Sequence, residues 1–361
     1  MTAPATTSGT SQAETAQVLS DVRNHIGHLT LNRPAGLNAL TLQMVRDLRL
    51  QLEAWALDAD IHAVVLRGAG PKGFCAGGDI RSLYDSFKSG ATLHRDFFIE
   101  EYDLDLFIHH YRKPIVCLMD GFTLGGGMGL AQGAELRVVT ERSRLAMPEV
   151  GIGYFPDVGG SYFLSRIPGE LGTYLGVTRV QIQAADSLYC GLADWYLDSD
   201  RLGELDRAFD QLSWSEYPLK DLQGALARLG SQTLPNPPLA DLRPAIDHFF
   251  ALLDIPAIIE QLRSVTVADS HEWALKTADL LDTRSPLGMA VTLELLRRGR
   301  HLSLEDCFRM ELHLDQQWFE HGDLMEGVRA LLIDKDKQPR WNPPTVAGLD
   351  RRRVDQFFEG L

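Results

Sequence analysis

The chain has 361 residues, 45% of them hydrophobic and 23% charged, with a net charge of −14. No run approaches the roughly 20 apolar residues of a membrane-crossing helix, and the acidic surplus argues against nucleic acid as a partner. An anionic ligand therefore needs a local, donor-rich site.

Residues 1–16 are Ala-, Thr-, Ser- and Gln-rich, with neither a basic residue nor an apolar stretch. They read as a disordered tail rather than a secretory or mitochondrial leader, which gives a cytoplasmic protein by default. The four cysteines, Cys75, Cys117, Cys190 and Cys307, lack C-x-x-C spacing. Buried free thiols are expected, not a disulfide framework or a zinc site.

Val18–Asn32 alternates apolar residues on both sides of Asn24 and predicts a hairpin. Thr41 caps a helix with Met44, Leu48, Leu52 and Trp55 on one face. Ile61–Leu66 is a short apolar strand of the doubly buried kind. A glycine-rich loop, Gly68–Asp79, leads into a polar helix ending near Ser89, and a longer helix follows over 94–110. Pro114 opens a second buried strand. TLGGGMGLAQGAEL is a strand end feeding into a helix, and Leu136–Thr140 is a third buried strand. This alternation implies an α/β fold with a largely parallel sheet, with glycine loops after strand ends, where such sheets bind ligands.

After Gly160 come a broken helix pair to Thr178, a short strand in CGLADWYL, and then mostly helix to about Ile333. Ser285-Pro286 is a clear helix start. The chain divides into a tail over 1–16, a core over 17–212 and a mainly helical region over 213–361.

Several motifs fail. Gly125-x-Gly127 lacks the third glycine of a dinucleotide fingerprint, no G-K-[ST] is present, and Ser161 lacks the glycine of a nucleophile elbow. His25 and His28 lie in a predicted strand without acidic company, and His109 and His110 lie at a helix end; all four read as structural or solvent-exposed. Cys75 reads as a small buried filler.

Two features remain. Gly77-Gly78 and Gly125-Gly126-Gly127 follow strand ends, the second at a helix start, where free N–H groups are available to an oxygen. MPEVGIGYFPDVGG (147–160) carries Glu149 and Asp157, each directly after a proline that stiffens its approach. The two acids are either held for chemistry, or are a Glu in a turn and an Asp capping a helix from Val158.

Together LTLNRPAGLNAL, GFCAGGDI, KPIVCLMDGFTLGGGMGL and LAMPEVGIGYFPDVGG resemble the crotonase (enoyl-CoA hydratase/isomerase) superfamily. GGDIR, FFIEEY, FPDVGGSYFL and DLMEGVRALLIDKDKQPRW make the chain look most like the 3-hydroxyisobutyryl-CoA hydrolase branch. The resemblance runs from about Gly27 to Trp341. It implies a crotonase-like fold of ββα units with a helical C-terminal region, and hydrolysis of 3-hydroxyisobutyryl-CoA in valine breakdown. It implies Gly78 and Gly126 as backbone donors to the thioester oxygen, Glu149 and Asp157 as catalytic acids, and Glu101 as a substrate contact. No metal or cofactor is implied beyond the CoA of the substrate; the partner is a small acyl-CoA, with a homo-oligomer open. Typical hydratases carry a second catalytic glutamate three residues after the middle glycine, where this chain has Gly129. A lysine common after NRP, near the CoA phosphates, is Ala35 here. The alternatives are a hydratase or isomerase of the same superfamily and a non-catalytic acyl-CoA-binding protein.

Overall fold

The computed structural model describes residues 16–361 apart from 231–233, 235 and 267. The predicted tail therefore lies, except for Ala16, outside the described residues.

Strands β1 (Val18–Arg23) and β2 (Ile26–Leu31) form the predicted hairpin. Its two turn residues, Asn24 and His25, both have positive φ, 45° and 64°, as a tight hairpin turn demands. Strands β3 (Ala63–Gly68), β5 (Ile115–Met119), β7 (Leu136–Val139) and β9 (Trp195–Tyr196) then add in parallel, giving a six-stranded sheet in the order β1-β2-β3-β5-β7-β9. Parallel pairing needs crossovers, and helices α1 (Leu42–Leu57), α2 (Ile80–Ser89), α3 (Leu93–His109) and α4 (Gly126–Gln132) occupy them.

Both faces of the sheet are covered, which explains why the central strands read as unbroken apolar runs. Val64, Leu66, Ile115, Cys117 and Met119 point into a large core shared with α1 and α3. Ala63, Val65, Val116 and Leu118 alternate to the opposite face, beneath the helices Leu202–Asp210 and Pro218–Leu229. Full burial of each of these larger aliphatic side chains contributes about 1.5–3 kcal/mol. Thr41 Oγ accepts the Met44 amide at 3.2 Å, so the predicted cap forms. All four cysteines are buried and free, and burial pushes the Cys75 thiol up to about 12, which suits a filler rather than a nucleophile.

The glycine-rich loop hides a strand that its composition did not disclose. Gly73–Cys75 (β4) pairs with β6 (Phe122–Leu124), which pairs with β8 (Arg144–Ala146), in a small three-stranded parallel sheet. These strands are only three residues each, too short for any periodicity to register. The small sheet fixes the site: Gly77-Gly78, Gly125-Gly126 and Met147–Gly160 all leave its C-terminal ends side by side. Beyond it lie the short helix α5 (Gly160–Phe163), α6 (Leu171–Thr178) and the C-terminal helices. Helix Pro286–Gly299 packs on α6, and helix Leu304–His321 packs on α3. Ser285 caps the former, accepting the Gly288 amide at 2.9 Å.

Candidate active site

A cavity of about 340 Å³ opens where these loops converge. Gly78, Glu101, Gly126, Glu149 and Asp157, the five site residues expected from sequence, all line it. Its walls are apolar, with Ile80, Phe97, Phe98, Ile152, Val158 and, from the C-terminal region, Leu324 and Leu332.

Gly78 forms a bridge with Leu40, while the Gly77 carbonyl accepts the Leu40 amide at 2.8 Å, so this turn is anchored on the segment before α1. Gly77 needs its glycine: its φ is 88°, and a methyl there would lie 3.3 Å from the Gly126 amide nitrogen. That close passage brings the two glycine clusters together. Neither the Gly78 nor the Gly126 N–H has an acceptor among the described residues, so both remain available to a ligand oxygen.

Glu149 opens a short 3-10 turn, Glu149–Ile152, and is 5% exposed. Its carboxyl packs against Gly125, where a methyl would come within 2.8 Å of Oε1, and Oε2 has no hydrogen-bond partner. Burial, then Asp157, push its pKa well above the usual carboxylate range. Glu101, on α3, presses Oε1 against Gly126 and is also raised, by burial first and then by Asp157 and Asp315.

Asp157 is not a helix cap. Val158 and Gly159 both take positive φ, 51° and 83°, which turns the chain so that the Asp157 side chain faces the cavity. Helix α5 starts at Gly160, not Val158. Its capping is supplied from far along the chain by Glu311, whose carboxylate accepts the Gly159 amide at 2.7 Å and the Ser161 amide at 2.8 Å. Asp157 instead accepts the Tyr102 hydroxyl at 2.7 Å. Burial lifts it to about 7, with the Tyr102 bond pulling the other way.

Sequence reading missed the buried acids behind this pair. Tyr154 donates to Asp315 at 2.7 Å. Glu311, despite its donors, is pushed up by burial to about 8. The signal was present: Glu311 and Asp315 sit four residues apart beside Met310, Leu314 and Trp318, the buried face of their helix. Asp105, one helical turn beyond Glu101, is fully buried with neither oxygen partnered. Its Oδ2 would lie 2.5 Å from a methyl on Gly129, and the Val158 Cβ 2.6 Å from it. Position 129 therefore has no room for a side chain in this packing. At the rim, Arg81 reaches the Leu332 carbonyl, a cation that sequence reading had not singled out. Among the described residues no group of three or more His, Cys, Asp or Glu is arranged to hold a metal ion.

A mixed α/β core whose glycine amides and proline-braced acids converge on one cleft defines a class. The chain belongs to the enoyl-CoA hydratase/isomerase family, the crotonase fold, whose family model matches residues 26–358. Within that class it is similar to the mitochondrial 3-hydroxyisobutyryl-CoA hydrolases. It is 39% identical to that of Danio rerio over 350 residues (96% of this chain, 90% of the relative), and 35% identical to that of Homo sapiens over 349 residues (96% and 89%). Among solved structures it matches a carnitinyl-CoA dehydratase from Mycobacterium thermoresistibile with a TM-score of 0.87 at 39% identity, covering 96% of this chain and 97% of that one. An enoyl-CoA hydratase from Rhodobacter sphaeroides matches with a TM-score of 0.86 at 34% identity, covering 96% and 98%.

Proposed function

We propose that this chain hydrolyses acyl-CoA thioesters, with 3-hydroxyisobutyryl-CoA as substrate, giving CoA and 3-hydroxyisobutyrate. The observation that carries the reading is a water-poor carboxyl, Glu149, beside two amides without acceptors, Gly78 and Gly126. The names of the vertebrate relatives supply the acyl group. The hydratase and dehydratase named for the solved structures are the competing reading. Against it stands the crowding at Gly129, which leaves no second acid on α4.

The thioester oxygen takes the Gly78 and Gly126 N–H groups. As the carbonyl carbon becomes tetrahedral, charge grows on that oxygen, and each donor stabilises it by about 2.7–4 kcal/mol by comparison with known oxyanion holes. Ionised Glu149 acts at the carbon, either attacking it to give a mixed anhydride that water then opens, or drawing the proton from an attacking water. The CoA thiolate leaves. Single turnover in oxygen-18 water separates the two routes, since only the anhydride route can leave label in Glu149. Asp157 accepts the substrate's 3-hydroxyl, and Glu101 packs the acyl chain against Gly126. Arg81 meets the CoA phosphates at the rim. The chemistry calls for no metal or cofactor.

Thiol release from 3-hydroxyisobutyryl-CoA tests the reading directly. Glu149→Gln is expected to abolish release while acyl-CoA still binds. Absorbance change on enoyl-CoA without thiol release would overturn the assignment. The cytoplasmic location inferred from composition differs from the mitochondrial one named for the vertebrate relatives, and fractionation of the source cells decides it.

A further inference from the structure

Many arginines of the molecule close on carboxylates, among them Arg33 on Asp79, Arg67 on Asp206, Arg137 on Asp194 and Arg300 on Glu170, while others, such as Arg166 and Arg297, donate to backbone carbonyls. Arg179 and Arg284 close on none among the described residues. The two sit together: Arg284 Nε donates at 3.1 Å to the carbonyl of Thr178, the residue before Arg179. Burial and the Arg179 charge lower Arg284 to about 10. An uncompensated pair of half-buried cations in a chain of net charge −14 requires an explanation.

Its position supplies one. Arg179 follows α6 in a left-handed conformation, φ 65°, with its amide bonded to the Leu175 carbonyl at 3.2 Å. From there its side chain lies across Gly151. A methyl on Gly151 would come within 2.6 Å of both Arg179 Cδ and Nη1. Gly151 belongs to the short turn that Glu149 opens. The glycine is thus the slot that admits a guanidinium behind the acid.

We propose that Arg179 is a positioning residue for Glu149: its guanidinium, seated on Gly151, supplies the positive charge that eases formation of the carboxylate that acts at the thioester carbon. The inference rests on the role given to Glu149 above. Of the charged groups facing Glu149, Asp157 and Glu101 oppose its ionisation and Arg179 favours it. A carboxyl out of water and among other carboxyls holds its proton more tightly, and a nearby cation offsets part of that. Arg179 does so without entering the cavity, so it leaves the substrate's space untouched.

The test is the pH profile of kcat on 3-hydroxyisobutyryl-CoA for the native chain, Arg179→Met, Arg179→Lys and Gly151→Ala. Gly151→Ala keeps the charge but displaces it. The acid limb is expected to move to higher pH in Arg179→Met and Gly151→Ala. A displacement of about one unit corresponds to about tenfold lower activity on the acid side, recovered at high pH. KM stays near the native value, and Arg179→Lys keeps the native limb. A purely structural role would lower activity equally at every pH. Unmoved limbs, or a loss independent of pH, overturn the proposal. Should Arg179→Met fail to fold, Gly151→Ala decides by the same criterion. Failure of the underlying reading is separate: it appears as thiol release by Glu149→Gln. Unmoved limbs with an inactive Glu149→Gln remove Arg179 alone.

Discussion

Tyr102→Phe removes one oxygen atom and, with it, the hydroxyl that donates to Asp157 at 2.7 Å. The ring stays packed edge-on against Phe98, so folding is expected to change little. The effect falls on Asp157. A hydrogen bond to an ionised group is worth about 1.5–3 kcal/mol, and about 1.36 kcal/mol corresponds to one pKa unit. Asp157, already lifted to about 7 by burial, therefore climbs by roughly one to two units when its donor is lost. At pH 7 its ionised fraction falls from about half to between a tenth and a hundredth. If ionised Asp157 receives the 3-hydroxyl, kcat/KM for 3-hydroxyisobutyryl-CoA at that pH falls roughly 5- to 50-fold, and its acid limb moves up. Isobutyryl-CoA, which has no hydroxyl, behaves oppositely. A neutral Asp157 no longer opposes ionisation of Glu149, so the limb for that substrate stays or moves down. The assay is thiol release across pH for both substrates. Equal upward shifts on the two, or no shift on either, would refute the role of Asp157.

Stability is expected to fall as pH rises from about 4 to about 7. Native Asp157 keeps its proton up to about 7, while unfolded it ionises near 3.8. In that window the native state binds more protons, and each unit of pH removes about 1.36 kcal/mol per such group. Glu101, Asp105 and Asp315, also raised mainly by burial, act in the same direction. Urea midpoints at pH 5 and pH 8 measure the slope; a higher midpoint at pH 8 would contradict it. Asp105→Asn is expected to flatten that slope, because the amide replaces an acid that has no donor to favour its ionised form. Gly129→Ala forces a methyl against Asp105 Oδ2 at 2.5 Å and Val158 Cβ at 2.6 Å. Overpacking of this kind costs about 1–3 kcal/mol, read as a lowered melting temperature, and an unchanged one would show that α4 has slack the packing does not suggest.

Much of this protein was legible before folding. The hairpin at Asn24, the Thr41 cap, the buried strands and the Ser285-Pro286 helix start follow from turn chemistry and periodicity, which are local properties. The five cavity residues were reached through motif resemblance, since no local rule links Gly78 to Glu149. Strand β4 stayed hidden because three residues carry no period; its strand character comes from pairing with Phe122–Leu124. The part played by Asp157 was undecidable from sequence, because an Asp before Val-Gly-Gly is as good a cap as a ligand contact. Tertiary structure settled where it points. Glu311, some 150 residues on, takes the amides of Gly159 and Ser161, and Tyr102 takes Asp157. The same holds for Arg179, whose seat on Gly151 joins segments that sequence leaves unconnected. Residue types and local spacing determined which acids and glycines were available. Burial and long-range donors, which exist only once the chain has closed on itself, decided which of those acids hold their protons and which side chains face the cavity.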